Sequence, residues 1–389
     1  RRAWDAYQSM LMEAWDGPAA IAFSDGHVMG AALDRNGLRP ARYYVTNDDR
    51  LILSSEIGAL DIDPAMVLVS GSLGPGQMLL VDPDKDRVLF DDEIKDAFAN
   101  EKPYRTWVES GMLTLDELAE GTPCAKDEPR DGAVGLPLRQ ALHGFFFDDV
   151  EEAIIPMANK GSAPLASMGA DVPLACLSEH PRSFFDYFNQ LFAQVTNPPI
   201  DALRESFITS TLLYVGNHGN LLEDARSNCR VVRLDAPLLT EEEYTSLAYL
   251  DRQGFHATRL AAVYDYGRAD NALERALDEL CVRAEEAVRA GSNIIAISDR
   301  ARAGEVPIPS LLAVASVHNH LLKAGIRTSA DLIVECGDAI TPHDFALLVG
   351  YSACGIYPYL AHDTIRSLAA KGELGVDAAT GIANYNKAI

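Results

Sequence analysis

Asp34, Arg35, Asn36, Gly37, Arg39 and Pro40 fall within seven consecutive positions, and their types could do chemistry. An arginine beside an asparagine can bind a carboxylate or an amide substrate through paired hydrogen bonds. The same stretch also reads as a turn between two strands. Asn-Gly supplies a positive φ, and the arginines can pair with acids such as Asp34 and Glu56. A second stretch, Thr196, Asn197, Pro198, Pro199 and Asp201, predicts a rigid polar turn. Its prolines fix φ, so the Asn197 amide can be held with little further loss of entropy. Asp201 can cap a helix that starts near Ala202. The plainer reading of this stretch is a corner between two core helices.

Other arrangements carry less. His318 and His320 are two apart on a helical pattern and point roughly opposite ways, so they cannot share a metal. They read as packed or surface histidines. Gly71, Gly74 and Gly76 imitate a phosphate loop, but no helix start follows, and a turn before a strand fits better. Cys124, Cys176, Cys229, Cys281, Cys336 and Cys354 are scattered singly, which argues against a zinc or iron–sulfur site within the chain and for reduced thiols. No Ser/His/Asp or Cys/His arrangement emerges from spacing.

The elements that must position these residues change character along the chain. Residues 17–81 read as short strands with a hairpin at Asp25-Gly26 and turns at residues 34–37, 47–49 and 74–76, which predicts an antiparallel sheet or sandwich. Residues 91–137 weaken into a connector with one or two helices, near 94–100 and 114–120. Phe184, Phe185, Phe188, Leu191, Phe192 and Val195 form one stripe of an amphipathic helix that Asn197-Pro198-Pro199 ends, placing Phe188 and Leu191 in the core. From Asn271 the order is helix, strand, helix, strand, helix, strand, helix. Asn271 and Glu274 suggest a capping box, and apolar strands near 294–297, 332–334 and 354–357 predict a largely parallel sheet.

At 389 residues the chain exceeds one ordinary core. Its 48% hydrophobic and 23% charged content is that of a globular protein. With 33 Lys+Arg against 57 Asp+Glu the net charge is -24, which argues against nucleic-acid or anionic-membrane partners. Arg1-Arg2 leads into Trp4, Asp5 and Gln8 rather than an apolar core, unlike a signal peptide, and the most apolar window, residues 345–361, is broken by Gly350, Ser352, Gly355 and Pro358. A cytoplasmic location is expected. The missing initiator Met suggests a piece of something longer.

Residues 15–60, with Asp34-x-x-Gly37-x-Arg39-Pro40 followed by Ser55-Glu56-x-x-Ala59-Leu60, resemble the later part of the class II glutamine amidotransferase domain of glutamate synthases. Residues 156–178 and 186–205, then 297–300, 307–313, 343–365 and the closing NYNKAI, are similar to the central domain of the same large-subunit family. The resemblance implies an Ntn-hydrolase-like α/β/β/α domain, of which an antiparallel sheet remnant is present, followed by an α/β central domain. It divides the chain into residues 1–105 (amidotransferase part), 106–140 (connector) and 141–389 (central domain).

For the whole enzyme the family implies that glutamine is hydrolysed and the ammonia passed to 2-oxoglutarate at a reduced flavin. The family's attacking cysteine, its substrate arginine and its Asn-Gly oxyanion motif are absent here, and no cysteine precedes Cys124. The resemblance therefore implies no catalytic, cofactor or metal residues in this chain. It implies partners in the preceding glutaminase portion and in a following domain with FMN and an iron–sulfur cluster, and an electron-donor subunit or ferredoxin. The chain would scaffold the two sites and help enclose the ammonia path. Asp34, Asn36, Gly37 and Arg39 would support the glutaminase half, and Thr196, Asn197, Pro198, Pro199 and Asp201 would couple the sites. The location would be the cytoplasm, or the plastid stroma of a photosynthetic source. The readings left open are a free-standing amidotransferase-like hydrolase and a non-catalytic binding module.

Overall fold

A computed structural model describes residues 1–12, 17–119, 135–164, 173–189, 209–252, 254–267 and 271–389. The chain divides into two compact units. The first is Arg1–Ser110, with Thr209 and Ser210 grouped with it; the second holds the other described residues from Gly111 on.

In the first unit, β1 (Ala20–Ser24) and β2 (Met29–Leu33) form the expected hairpin. Its Asp25 carboxylate accepts the His27 and Val28 N–H groups, and Gly26 turns at φ 93°. Next come β3 (Arg42–Thr46), β4 (Leu51–Ser54), β5 (Val67–Ser72), β6 (Met78–Asp82) and β7 (Arg87–Phe90). They make two antiparallel sheets, ordered β1-β2-β6-β7 and β4-β3-β5. Helices α1 (Arg2–Gln8), α2 (Asp91–Glu101) and α3 (Tyr104–Gly111) complete this part of the chain. Tyr7, Tyr104 and Trp107 pack as a ring cluster with centroids 5.0–5.8 Å apart. The sheet core is small: Ala31, Leu33, Ala41, Leu73 and Leu79.

The second unit begins with β8 (Leu113–Thr114), α4 (Leu115–Ala119), α5 (Leu136–Leu142) and α6 (Ile155–Lys160). It continues through β9 (Leu213–Gly216), β10 (Val231–Leu234), α7 (Glu241–Ala248), β11 (Asp251–Arg252), β12 (Phe255–Ala261) and β13 (Val263–Asp265). Then α8 (Ala272–Arg289), β14 (Ile294–Ser298), β15 (Glu305–Pro307), α9 (Ser310–Lys323), β16 (Asp331–Glu335), α10 (Pro342–Gly350), β17 (Ala353–Tyr357), α11 (Tyr359–Lys371) and α12 (Ala378–Ala388) follow. The central sheet is ordered β11-β12-β14-β16-β17, with β12 to β17 parallel and β11 antiparallel at the edge. All five positions of β14 and of β16 are buried, as strands covered on both faces require. No helix of the described residues is long and apolar enough to cross a membrane.

Several expectations change. The helix expected from Phe184 is a single 3-10 turn, Phe184–Phe188, after which Asn189 is extended. Four aromatic side chains in five residues disfavour an α-helix. The tighter turn buries Phe185 while Phe184 stays at the margin, its ring 6.1 Å from Tyr187 and 6.0 Å from Phe188. Phe188 is therefore not a core residue: it is 36% exposed and leans edge-on against Tyr351. Leu191 lies outside the described residues. Asn271 precedes α8 but makes no side-chain cap, so the capping box with Glu274 is not formed, whereas complete boxes stand at Thr240/Glu243 and Thr341/Asp344. Strands β5, β7, β9, β10 and β12 carry too little alternation to have been read from sequence.

The corrected position of Phe188 gives a direct test. Phe185→Ala should cost about 3–5 kcal/mol, as a fully buried aromatic does, and Phe188→Ala about 1 kcal/mol or less. Trp4, Trp15 and Trp107 all fall within the first 107 residues, so tryptophan emission does not follow the second unit. Urea unfolding read by far-UV circular dichroism is the measurement.

Candidate functional site

In a parallel sheet, functional groups collect where the strands end at their carboxyl edge. Here β14 runs into Asp299 and Arg300, β16 ends at Glu335 ahead of Gly337 and Asp338, and β17 leads to Tyr359. Glu335 is 4% exposed. It accepts from the Ser298 hydroxyl at 2.7 Å, from Arg300 Nε at 2.6 Å and from Arg259 at 3.4 Å. Two cations and a hydroxyl thus hold one buried carboxylate, the condition under which burying it is tolerable. Arg259 also bonds the Tyr249 hydroxyl, and Arg300 lies over the Tyr359 ring, 3.8 Å from its centroid.

A second group sits against the first. Asp299 takes the Gly337 N–H at 2.8 Å, and Asp338 takes the N–H and hydroxyl of Ser310, capping α9 from outside. Burial, then the neighbouring Asp338, pushes the Asp299 carboxyl well above the usual carboxylate range, which favours its protonated form. His143 stands opposite, its Nδ1 3.7 Å from Asp299 and its Nε2 3.0 Å from the Tyr359 hydroxyl. Burial, then Arg139 and Arg300, lowers His143 to about 4. His143 is therefore uncharged in the neutral pH range, so the two do not form a salt bridge there. The histidine occupies the volume where residue 337 would otherwise have a side chain. A Cβ there would lie 2.6 Å from the imidazole, so only glycine fits.

Apart from Asp299 Oδ1, which is buried without a hydrogen-bond partner, the carboxylates here are paired with their neighbours, and the chemistry they support is cohesion. The phosphate of a flavin nucleotide would want free N–H groups or cations at this edge. Instead three acids line it, the cations Arg259 and Arg300 are already bonded to Glu335, and the Gly337 and Ser310 N–H groups already donate to the other two acids. The described residues do not fit FMN there. Nor do they fit an iron–sulfur cluster. Among them, one group of three His, Cys, Asp or Glu side chains brings its ligand atoms within 4.8 Å: His27, Asp82 and Asp84, with no cysteine. That group is largely exposed, and Lys85 lies 3.1 Å from Asp82. An open cleft of about 520 Å³ runs beside β12, where His256 bonds Asp251 and Thr258 bonds Ser292.

The sequence-derived candidates are placed as follows. Asp34 accepts the N–H groups of Ala19 at 3.2 Å and Asn36 at 2.9 Å, and its carbonyl takes those of Gly37 and Gly76. Gly37 turns at φ 60° with the Pro75 backbone 2.8 Å from where its Cβ would be. The stretch thus locks the end of β2 to the turn before β6, while Arg39 is exposed. Thr196, Asn197, Pro198, Pro199 and Asp201 lie outside the described residues. His320 pairs with Glu285 at 2.6 Å and His318 accepts from Arg327 at 3.1 Å, so the two histidines do part. The acidic edge was missed. Its one sequence signal was the Ser-Asp-Arg run after an apolar strand; His143 gave none.

Residues 138–389 match the family described as glutamate synthase central domain, and residues 1–107 match the class-II glutamine amidotransferases. The chain belongs to the glutamate synthase central-domain family and carries class-II amidotransferase sequence ahead of it. It is 41% identical over its whole length to the NADPH glutamate synthase large chain of Bacillus subtilis, and covers 25% of that protein. It is 40% identical over 98% of its length to ferredoxin-dependent glutamate synthase 2 of Synechocystis, again covering 25%. With the NADH glutamate synthase of Schizosaccharomyces pombe the identity is 37% over 99% of this chain and 19% of the relative. The chain thus spans a quarter or less of the length of these curated relatives.

A second buried histidine offers a titration test. His362 joins α11 to α12 through Asn386 at 2.9 Å, between the Tyr357 and Tyr385 rings. Burial lowers it to about 4, only partly opposed by the Asn386 bond. Between pH 6.5 and 4 the unfolded chain binds a proton at this residue that the folded chain refuses, so its contribution to stability falls as pH falls. Asp344, raised by burial to about 6, works the other way, losing stability as pH rises through that value. His362→Gln should therefore flatten the acid side of the profile by roughly 1 kcal/mol per pH unit. Urea midpoints by circular dichroism at several pH values from 4 to 7 check it; parallel profiles for both proteins would refute it.

Proposed function

We propose that this chain is the part of a glutamate synthase that joins its glutaminase to its synthase site. The whole enzyme would form glutamate from glutamine and 2-oxoglutarate with a reductant. One observation carries the reading: amidotransferase and central-domain sequence follow one another in a single chain. The first unit would then be the later part of an Ntn-hydrolase-like domain, in which the Asp34, Asn36, Gly37 and Arg39 turn stiffens the sheet. The second would be a scaffold and a wall of the ammonia path, keeping ammonia from water and protonation. The bonds of Glu335 to Arg259, Arg300 and Ser298 at its strand edge support a rigid body.

FMN and an iron–sulfur cluster would be held by polypeptide beyond these residues, where the flavin supplies the reducing equivalents. NADPH, NADH and ferredoxin all occur in the names of the relatives, and each is a candidate donor here. The cytoplasm, or a plastid as for the chloroplastic relative of Oryza sativa, would house it.

Two measurements test this. The chain by itself should release no ammonia from glutamine, because no cysteine precedes Cys124 to serve as the attacking thiol of the amidotransferase part; saturable turnover that persists through further purification would overturn the scaffold role. In the complete polypeptide, Asn197→Ala or Pro198→Gly should raise the ammonia that escapes per glutamate formed while leaving glutamine binding nearly intact. An unchanged ratio in both variants would remove the coupling role from this stretch.

A further inference from the structure

The connection between β9 and β10 carries an apolar tip that its own unit does not bury. Leu222 is 94% exposed, more than any other large apolar side chain among the described residues, and Leu221 beside it is 45% exposed. The two occupy the middle of a tight turn, in which the Glu223 N–H donates to the Asn220 carbonyl at 3.1 Å. Exposed turn centres ordinarily carry glycine, proline or small polar residues. This turn is also held from beneath. Asn228, 1% exposed, donates its amide to the Asn220 carbonyl at 3.2 Å and to the Glu223 carbonyl at 2.9 Å, so one buried side chain grips both ends. The Leu222 N–H donates to the Asn220 side chain at 3.1 Å. Gly219, at φ 60°, passes against the same asparagine: a Cβ there would lie 2.7 Å from Asn228 Oδ1. Before the turn, the His218 N–H donates to the Thr328 carbonyl and the His218 ring bonds the buried Asp331; after it, Cys229 and Val231 are fully buried. A lone exposed leucine needs no explanation, but two that a buried amide fixes in water do. Order set in advance favours a contact with something further, because that contact then loses less entropy on forming.

We infer that the Leu221–Leu222 tip is a docking knob that enters an apolar pocket on another portion of the same polypeptide. This rests on the reading of the chain as one portion of a glutamate synthase. Three observations select that occupant over a second copy. The relatives are four or more times as long as this chain, so most of such a polypeptide lies outside these residues. Two leucines meeting their own copies across a two-fold axis would bury only a small part of the roughly 1,200 Å² that a stable interface needs. A tethered partner needs far less, since the tether supplies an effective concentration on the order of millimolar. A head-to-tail contact would need an apolar pocket on this chain, whereas the open cleft beside β12 carries Asp251, His256, Thr258, Arg259 and Ser292 in its lining.

Hydroxyl-radical footprinting of the unsubstituted protein tests this, with radicals made by photolysis of hydrogen peroxide and dosed against a reporter dye. Oxidation at Leu221 and Leu222, resolved by peptide mass spectrometry, is compared between this 389-residue chain and the complete polypeptide that contains it. Leu222 should be oxidised freely in the chain and about tenfold or more slowly in the complete polypeptide, since water leaves the centre of a packed interface. Equal oxidation in both would overturn the proposal. So would protection already present in the chain: if it grows with concentration the occupant is a second copy, and if it does not the chain covers its own tip. In the complete polypeptide, Leu222→Asp should raise oxidation at Leu221 about threefold or more, because an apolar pocket expels an unpaired carboxylate. Leu221 staying protected would mean that the tip is only overshadowed, and would overturn the knob as well. Glutamate formation is assayed in the same complete preparation. Its absence would overturn the functional reading while the footprint still reports on the tip, and its presence with equal oxidation would overturn the knob alone.

Discussion

Burying carboxylates is costly, and the second unit buries several at one edge of its sheet. Glu335 tolerates this because Arg300, Arg259 and Ser298 converge on it. Asp299 tolerates it by favouring its protonated form, and Asp338 by capping a helix. Removing one partner of such a set leaves an uncompensated charge, which typically costs several kcal/mol. The surrounding strands, the path of the chain after β14 and the seat of Tyr359 all follow from keeping these groups paired. A site arranged in this way is suited to holding a shape, with Asp299 Oδ1 the one carboxylate oxygen of the set that is buried without a hydrogen-bond partner.

The two units achieve order by different means. The second has a continuous core in which strands β14 and β16 are buried throughout. The first relies on turns whose polar groups are tied back to the backbone, as at Asp25 and Asp34, around a core of few buried side chains.

What the sequence made legible followed the strength of its periodicity. The Asp25-Gly26 hairpin and the alternation of strands and helices after Asn271 could be read because apolar spacing and turn residues agreed. The Phe184 stripe misled: its spacing suits an α-helix, but tertiary packing took one aromatic residue into the core and left the rest of the turn at the margin. Asn271 offered a capping group that the structure does not use. The acidic edge was illegible for another reason. Its members, from residue 143 to residue 359, come together only through the topology of the sheet, and no local pattern records that. The turn at Asn197 keeps only its sequence argument.

The segment around α5 shows how far apart those members are in the chain. Arg139 reaches Asp363, Gln140 reaches Thr364, and the His143 ring fills the space beside Gly337. The first two contacts close loops of more than two hundred residues, among the most expensive in chain entropy that a domain of this size can make. During folding such contacts are rewarded only after the strands they bridge have paired. The segment thus supplies, from far away in the sequence, the imidazole that stands against Asp299, so the shielding of that carboxyl depends on the whole sheet being in register.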